Sequence, residues 1–512
     1  MKKIFIFFVM MYFTFSITAQ PNFSFDYLDV NNISARINSD GILFSDEISE
    51  IARFIVPKNA GTTSIFTSSL WFGGVHSVTG ELHVAANKFR KEGVDFTQGQ
   101  IGSSPSDNAL WKVNRSSILH HMAHYQDVNY FMAAEIANWG GPFEDINDNQ
   151  IYEPLLGEYP KIIGDQAIFF IYNDVIEHTS SGGLPLGIEI QATAYAFTGE
   201  GMSVTDSANL TNTIFIRYNI INKSENNYVD FYIGSFTDPD LGYAHDDYVG
   251  FDTTLRMFYA YNGKEIDGTG QPYAYGDLLP AQGIMLLNRD VYSFMCFSNG
   301  NIPTGDPRVA AEYYNYMQSI WRDNTALRDP TGNFCKIMLT GDPVTGTGWI
   351  ESTQMGAPGD RRGLISTYIG DFNAGENICI DIAYPFAQSE TPSGALVPIT
   401  LLRERATAIR NFYTQNQYSC DIFTVGITTN KKEDVKEVAL YPNPTKGELR
   451  IDNGELRMEN VAVYDLLGRI QKSKIVNLQS EIVIDISHLP AGLYFVQLST
   501  EKGAITKKVV KQ

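Results

Sequence analysis

Short apolar runs broken by Gly, Asn and Asp recur along residues 20–430, among them SIFTSSLWF, TIFIRYNIIN, YVDFYIGSF and ICIDIAYPF. Their alternation predicts mostly antiparallel β-structure. Three stretches carry helical spacing instead. SPSDNALWKVNRSSILHHMAHY (104–125) offers Ser106 or Asp107 as a cap. RVAAEYYNYMQSIW (308–321) follows Pro307, and ALVPITLLRERATAIRNFYTQNQ (395–417) places Leu401, Leu402, Ala406, Ile409 and Phe412 at helical spacing. These helices are expected to pack on the sheets or to link them.

Past Cys420 the chain turns polar and charged without periodicity, which reads as a linker over 425–436. ALYPNPTKGELRIDN then sets a Pro-Asn-Pro turn and Gly447 between two apolar runs. VAVYDLLGRIQKS alternates through Val461, Val463 and Leu466 up to a turn at Gly468. EIVIDISHLPAGLYFVQLSTEKGAITKKVVKQ adds three strands, broken at Pro490-Ala491-Gly492 and Lys502-Gly503. About seven short strands in residues 437–512 predict a small Ig-like β-sandwich. The fold class is therefore mainly β: a β-rich region over 20–424, in one body or two subdomains with a few helices, then a linker and a sandwich.

Length and composition agree with this division. A chain of 512 residues is long for one core. Its 28 Tyr and 31 Phe against 19% charged residues suit cross-strand aromatic pairs. Charge is unevenly placed within the net −20. Residues 431–512 hold 13 Lys and Arg against 11 Asp and Glu, whereas residues 20–430 hold 23 basic and 47 acidic groups. So acidic a body repels phosphate backbones, which argues against nucleic-acid binding and makes cations the natural partners.

Residues 1–19 open with Lys2 and Lys3, continue as IFIFFVMMYFTFSI and end on Thr18 and Ala19, the form of a signal peptide cut before Gln20. The alternative is a membrane anchor, for which the run is short and lacks a following basic cluster, so no transmembrane span is expected in the mature chain. Four cysteines, Cys296, Cys335, Cys379 and Cys420, form no C-x-x-C pair. Two disulfides or four buried thiols are both open, and zinc is disfavoured by the spacing.

In the tail, YPNP, VYDLLGR, LPAGLYFVQL and the lysine-flanked KKVVKQ follow one another in order. Together they resemble the type A sorting domain of the type IX (Por) secretion system, over residues 437–512. The resemblance implies delivery by the type IX machinery to the outer-membrane surface or the medium, via the periplasm, with the domain removed or replaced by an anchor afterwards.

Two acidic segments carry candidate chemistry. In PFEDINDNQIYEPLLGEYPKIIGDQ, Asp145, Asn147 and Asn149 fall at positions one, three and five of a calcium loop, the Ile151 carbonyl at seven and Glu153 at nine. Gln150 stands where the turn glycine belongs and Leu156 takes the twelfth place, so this is no EF-hand; Glu158 or Asp165 could close a looser loop. The competing reading is a polar turn held by Asx hydrogen bonds. In FTDPDLGYAHDDYVGFDTT, Asp238, Asp240, Asp246, Asp247 and Asp252 crowd together, and calcium would relieve their repulsion. The competing reading is a solvated acidic loop.

SLWFGGVHSVTGELHVAANKFR, NWGGPFEDINDNQIYEPLLGEYPKIIGDQAIFFIYND, TIFIRYNIINKSENNYVDFYIGSFTDPDLG, YYNYMQSIWRDNT and PGDRRGLIST resemble blocks of large exported Bacteroidetes proteins that carry the same tail. The resemblance spans roughly residues 50–420. There the acidic loop reads closer to D-x-N-x-D-G-x-Y-x-P, from which Asn149 and Gln150 depart. It implies a cell-surface or secreted role and no reaction.

Catalytic signals are sparse. His120 and His124 stand at i and i+4, as in zinc hydrolases, but His121 occupies the place of the general-base Glu. A structural histidine cluster is the competing reading. Trp71, Phe72, Trp111, Trp139, Trp321 and Trp349 could form a carbohydrate platform or, as large rings in a β-rich chain usually do, fill the core. The expectation is a non-enzymatic, calcium-stabilised surface module for adhesion or capture of a glycan or surface ligand. The alternative is a secreted hydrolase acting on polysaccharide or peptide.

Overall fold

The computed structural model describes residues 23–104, 108–354, 356–416, 439–452, 458–465, 470–478, 482–500 and 503–512. The expected signal peptide, the linker, the caps Ser106 and Asp107, and the turn at Gly468 lie outside the described residues. The architecture is mainly β, and its named sheets are antiparallel throughout.

A nine-stranded sheet is the backbone of the large region. Its order is Leu110–Asn114, Gln166–Asn173, Ile188–Ala196, Thr213–Asn222, Asn377–Gln388, Pro280–Leu286, Met257–Asn262 and Asp247–Asp252, with Thr97–Gln98 pairing Gln166–Asn173 off this path. Successive side chains of a strand point to opposite faces. Ile168, Phe170 and Tyr172 accordingly enter one core while Ala167, Phe169 and Ile171 enter another. Burial on both faces explains why Gln166–Asn173 carries an apolar run from Ala167 to Tyr172.

The first core lies between this sheet and a second, five-stranded one, ordered Ser293–Ser298, Arg361–Phe372, Tyr228–Asp238, Thr67–His76 and Leu82–Ala86. A four-stranded sheet of Phe25–Leu28, Ser34–Asn38, Phe54–Ile55 and Thr63–Ile65 adds to it. The second core is covered by helices. Val397–Asn416 buries Ile399, Leu402, Ala406 and Ile409 there, whereas Leu401 stays 37% exposed. Ala310–Met317 forms within the expected 308–321 stretch and buries Tyr313, Tyr316 and Met317.

One expectation is corrected. The stretch 104–125 is not helical throughout: Leu110–Asn114 pairs with Gln166–Asn173, and only Arg115–His124 is helix. Pairing at the edge of a sheet outweighs the weak helical preference of Leu-Trp-Lys-Val-Asn. Neither cysteine alternative holds as stated, because Cys379 is disulfide-bonded while Cys296 and Cys335 are free; Cys420 lies outside the described residues.

Among the described residues the tail forms seven strands in two sheets. Ala439–Tyr441, Glu448–Asp452 and Ile482–Asp485 make one; Ile470–Leu478, Met458–Asp465, Gly492–Thr500 and Gly503–Lys511 make the other. Leu449, Ile451, Val461, Val463, Ile484, Val496, Leu498 and Val509 form its core.

Candidate cation sites and the export domain

The segment 145–158 folds back on itself. The Asp145 carboxylate accepts from the Asn149 and Gln150 amides at 3.2 and 2.7 Å, and Asn149 Oδ1 accepts from Ile151 N at 2.7 Å. The side-chain amides of Asn147 and Asn149 both donate to Glu153 Oε2, at 2.9 and 2.7 Å. Glu158, fully buried, accepts from Ile146 N and Glu153 N at 3.1 and 2.7 Å and so closes the base of the loop. Gln150 adopts φ +62°, the left-handed conformation that a glycine takes most readily. Asp145, Asn147, Asn149, Ile151 and Glu153 thus share one turn, laced by Asx-type hydrogen bonds.

The second acidic segment is divided by the fold. Asp238 ends the strand Tyr228–Asp238, and Asp240 follows one proline later. Gly242, at φ +73°, turns the chain where a Cβ would collide with the Asp267 carboxylate. Asp246 faces Asn262, Gly268 N and Lys264, at 3.5, 3.2 and 3.8 Å. Asp247 accepts from Leu241 N at 3.0 Å through Oδ2. Asp252 caps a turn through Thr254 N and Leu255 N and pairs with Arg403 at 3.2 Å.

Asp238 and Asp240 instead converge with Asp360, which the sequence did not single out. One carboxylate oxygen of each lies within 4.8 Å of the others. Arg362 sits beside them, its guanidinium 3.4 Å from Asp238, 3.6 Å from Asp306 and 3.6 Å from Asp360. Burial, and then the neighbouring Asp360 carboxylate, pushes Asp240 up to about 7 against the pull of Arg362. Burial and Asp240 likewise raise Asp238 well above the usual carboxylate range. The signal available in sequence was only the isolated Asp360 of PGDRRG, distant along the chain and without acidic neighbours.

The histidines separate. His121 is buried, with Nδ1 3.1 Å from the Tyr130 hydroxyl and Nε2 3.0 Å from the Glu158 carbonyl oxygen, so it ties the helix to the base of the 145–158 loop. His120 is exposed and His124 half-buried, with ring centroids 4.3 Å apart. Trp71, Phe72 and Trp139 are core side chains, and Trp321 and Trp349 pack against the first core. Trp111 packs against the second and stacks on Phe169. One aromatic group that the sequence reading missed reaches solvent at Tyr368, with Tyr292 and Tyr314 half-buried and Tyr232 buried among them. Tyr232 lies 4.9–5.6 Å, centroid to centroid, from the other three, and Tyr368 is 47% exposed. The Tyr314 and Tyr368 hydroxyls donate to the Asp230 carbonyl and carboxylate, at 2.7 and 3.1 Å.

In the tail, the sequence blocks are physically joined. Asn443 of YPNP donates to the Lys508 carbonyl at 2.8 Å and accepts from Val510 N at 2.9 Å, which binds that turn to the KKVV strand. The Tyr494 hydroxyl of LPAGLY donates back to the Pro490 carbonyl at 3.0 Å and fixes the turn before its own strand. Two β-bodies, one large and acidic and one small and compactly turned, make a two-part protein. Residues 439–512 match the family described as the secretion system C-terminal sorting domain. The chain is thus a protein addressed by type IX secretion to the cell surface or the medium. Among the described residues no helix is long and apolar enough to cross a membrane.

No curated protein matches the chain. Among solved structures it is similar to a polysaccharide lyase at 8% identity and a TM-score of 0.18, over 64% of this chain and 34% of that one. The chain therefore spans about a third of the length of that lyase.

Proposed function

We propose that the large region acts outside the cell as a non-enzymatic module for adhesion or ligand capture, with calcium stiffening its acidic loops. The observation that carries the capture reading is the group of Tyr232, Tyr292, Tyr314 and Tyr368. The Tyr368 ring, 47% exposed with its hydroxyl anchored on Asp230 and with the half-buried Tyr292 and Tyr314 beside it, offers a flat apolar face of the kind on which sugar rings stack. The calcium reading is supported by the surplus of carboxylates in residues 20–430 and by the turned-back loop of Asp145, Asn147, Asn149, Ile151 and Glu153. Hard oxygen donors at this spacing suit calcium better than any softer metal.

The test is a pull-down of the secreted chain on a panel of insoluble polysaccharides, run for wild type and for Tyr368→Ala. Retention on at least one polymer, weakened at least several-fold by the substitution, is the expected outcome. Release of soluble sugar from the polymer would favour the hydrolase alternative. Retention on none of the polymers would remove the glycan part of the reading. Melting with added calcium and with chelator tests the stiffening: the chelated chain should melt lower, and identical curves would reject it.

A further inference from the structure

The carboxylates of Asp238, Asp240 and Asp360 have more negative charge than their surroundings answer. Asp238 is 2% exposed and its Oδ1 has no hydrogen-bond partner; Oδ1 of Asp306 and of Asp360 are likewise buried and unpartnered. The cation at hand is Arg362, itself 4% exposed, and four carboxylates surround it. Its distances of 3.4–3.6 Å to three of them exceed a charge-assisted hydrogen bond, and its Nε and Nη1 are without hydrogen-bond partners. The carboxylates therefore do not close on the arginine, and three of them bring one oxygen each within 4.8 Å of the others.

That arrangement is costly for bare anions and natural around a metal. Oxygens sharing one calcium at about 2.3–2.6 Å can be at most roughly 5 Å apart, and these three fall within 4.8 Å. We propose that Asp238, Asp240 and Asp360 hold a hard divalent cation of calcium's size, which fastens the end of Tyr228–Asp238 to the entry of Arg361–Phe372. Register supplies the convergence. These strands are antiparallel neighbours with Thr237 opposite Gly363, and the same register carried past the last pair sets Asp240 opposite Asp360. Asp240 and Asp360 are half-buried, which leaves room for water to complete the coordination. Arg362, stacked 5.2 Å over Phe89, offsets part of the remaining charge. The site deepens the calcium part of the function proposed above and rests on that reading.

Calorimetric titration of the chelator-stripped secreted chain with calcium chloride, for wild type, Asp360→Asn, Asp240→Asn and Asp145→Asn, decides it. Asp360→Asn and Asp240→Asn should each lose one calcium per chain or weaken one site at least tenfold, while Asp145→Asn keeps it. Without metal, both variants should melt at or above stripped wild type, because each removes a repelling carboxylate. If both bind calcium as wild type does, the site is wrong while calcium stiffening elsewhere survives. If wild type binds none, both ideas fall. A lower melting temperature for the stripped variants would show Arg362 already satisfies these carboxylates, and that too overturns the site.

Discussion

Arg217 and Asp381 meet inside the nine-stranded sheet as facing residues of neighbouring strands, in a two-pronged pair at 2.7 Å for both contacts, each side chain at most 3% exposed. The Tyr413 hydroxyl donates to the same carboxylate from the covering helix. A buried guanidinium loses far more by losing its partner than the intact pair contributes. Asp381→Ala should therefore destabilise the chain by about 3–5 kcal/mol in urea unfolding. The double variant Arg217→Met, Asp381→Leu should recover most of that loss; equal losses for single and double variants would contradict this account.

At the scale of elements, the helix Val397–Asn416 separates two adjacent leucines by their surroundings. Leu402 is fully buried among the sheet side chains of the second core and Leu401 is 37% exposed. Leu402→Ala should cost about 2–5 kcal/mol, and Leu401→Ala should stay within about 1 kcal/mol. Thermal melts of the two variants measure the difference, and near-equal losses would mean that the helix does not pack on the sheet as described. The 110–114 segment marks the opposite case, an element whose local pattern was overruled by a partner strand 60 residues away at Leu110 and Phe170.

For the whole molecule, address and body are separable in composition, one nearly neutral and one strongly acidic. Removing residues 437–512 should leave the chain in the periplasm, as cell fractionation with an antibody to the large region would show. Arrival of the truncated chain in the medium in wild-type amounts would mean that the tail is not its address.

Sequence by itself determined the mainly β class, the strand Thr213–Asn222, a helix within 395–417, the sandwich of about seven strands and the sorting domain. The fold elements rest on local periodicity or on turn residues close together in the chain, and the sorting domain on the resemblance carried by YPNP, VYDLLGR, LPAGLYFVQL and KKVVKQ. It also drew attention to Asp238 and Asp240, because acidic crowding is visible along a segment. Tertiary structure alone decided that Asp246, Asp247 and Asp252 go elsewhere and that Asp360 joins Asp238 and Asp240. It also gathered Tyr232, Tyr292, Tyr314 and Tyr368. Those groupings depend on which strands become neighbours and in what register, a choice made by burying both faces of a sheet and not by any spacing along the chain.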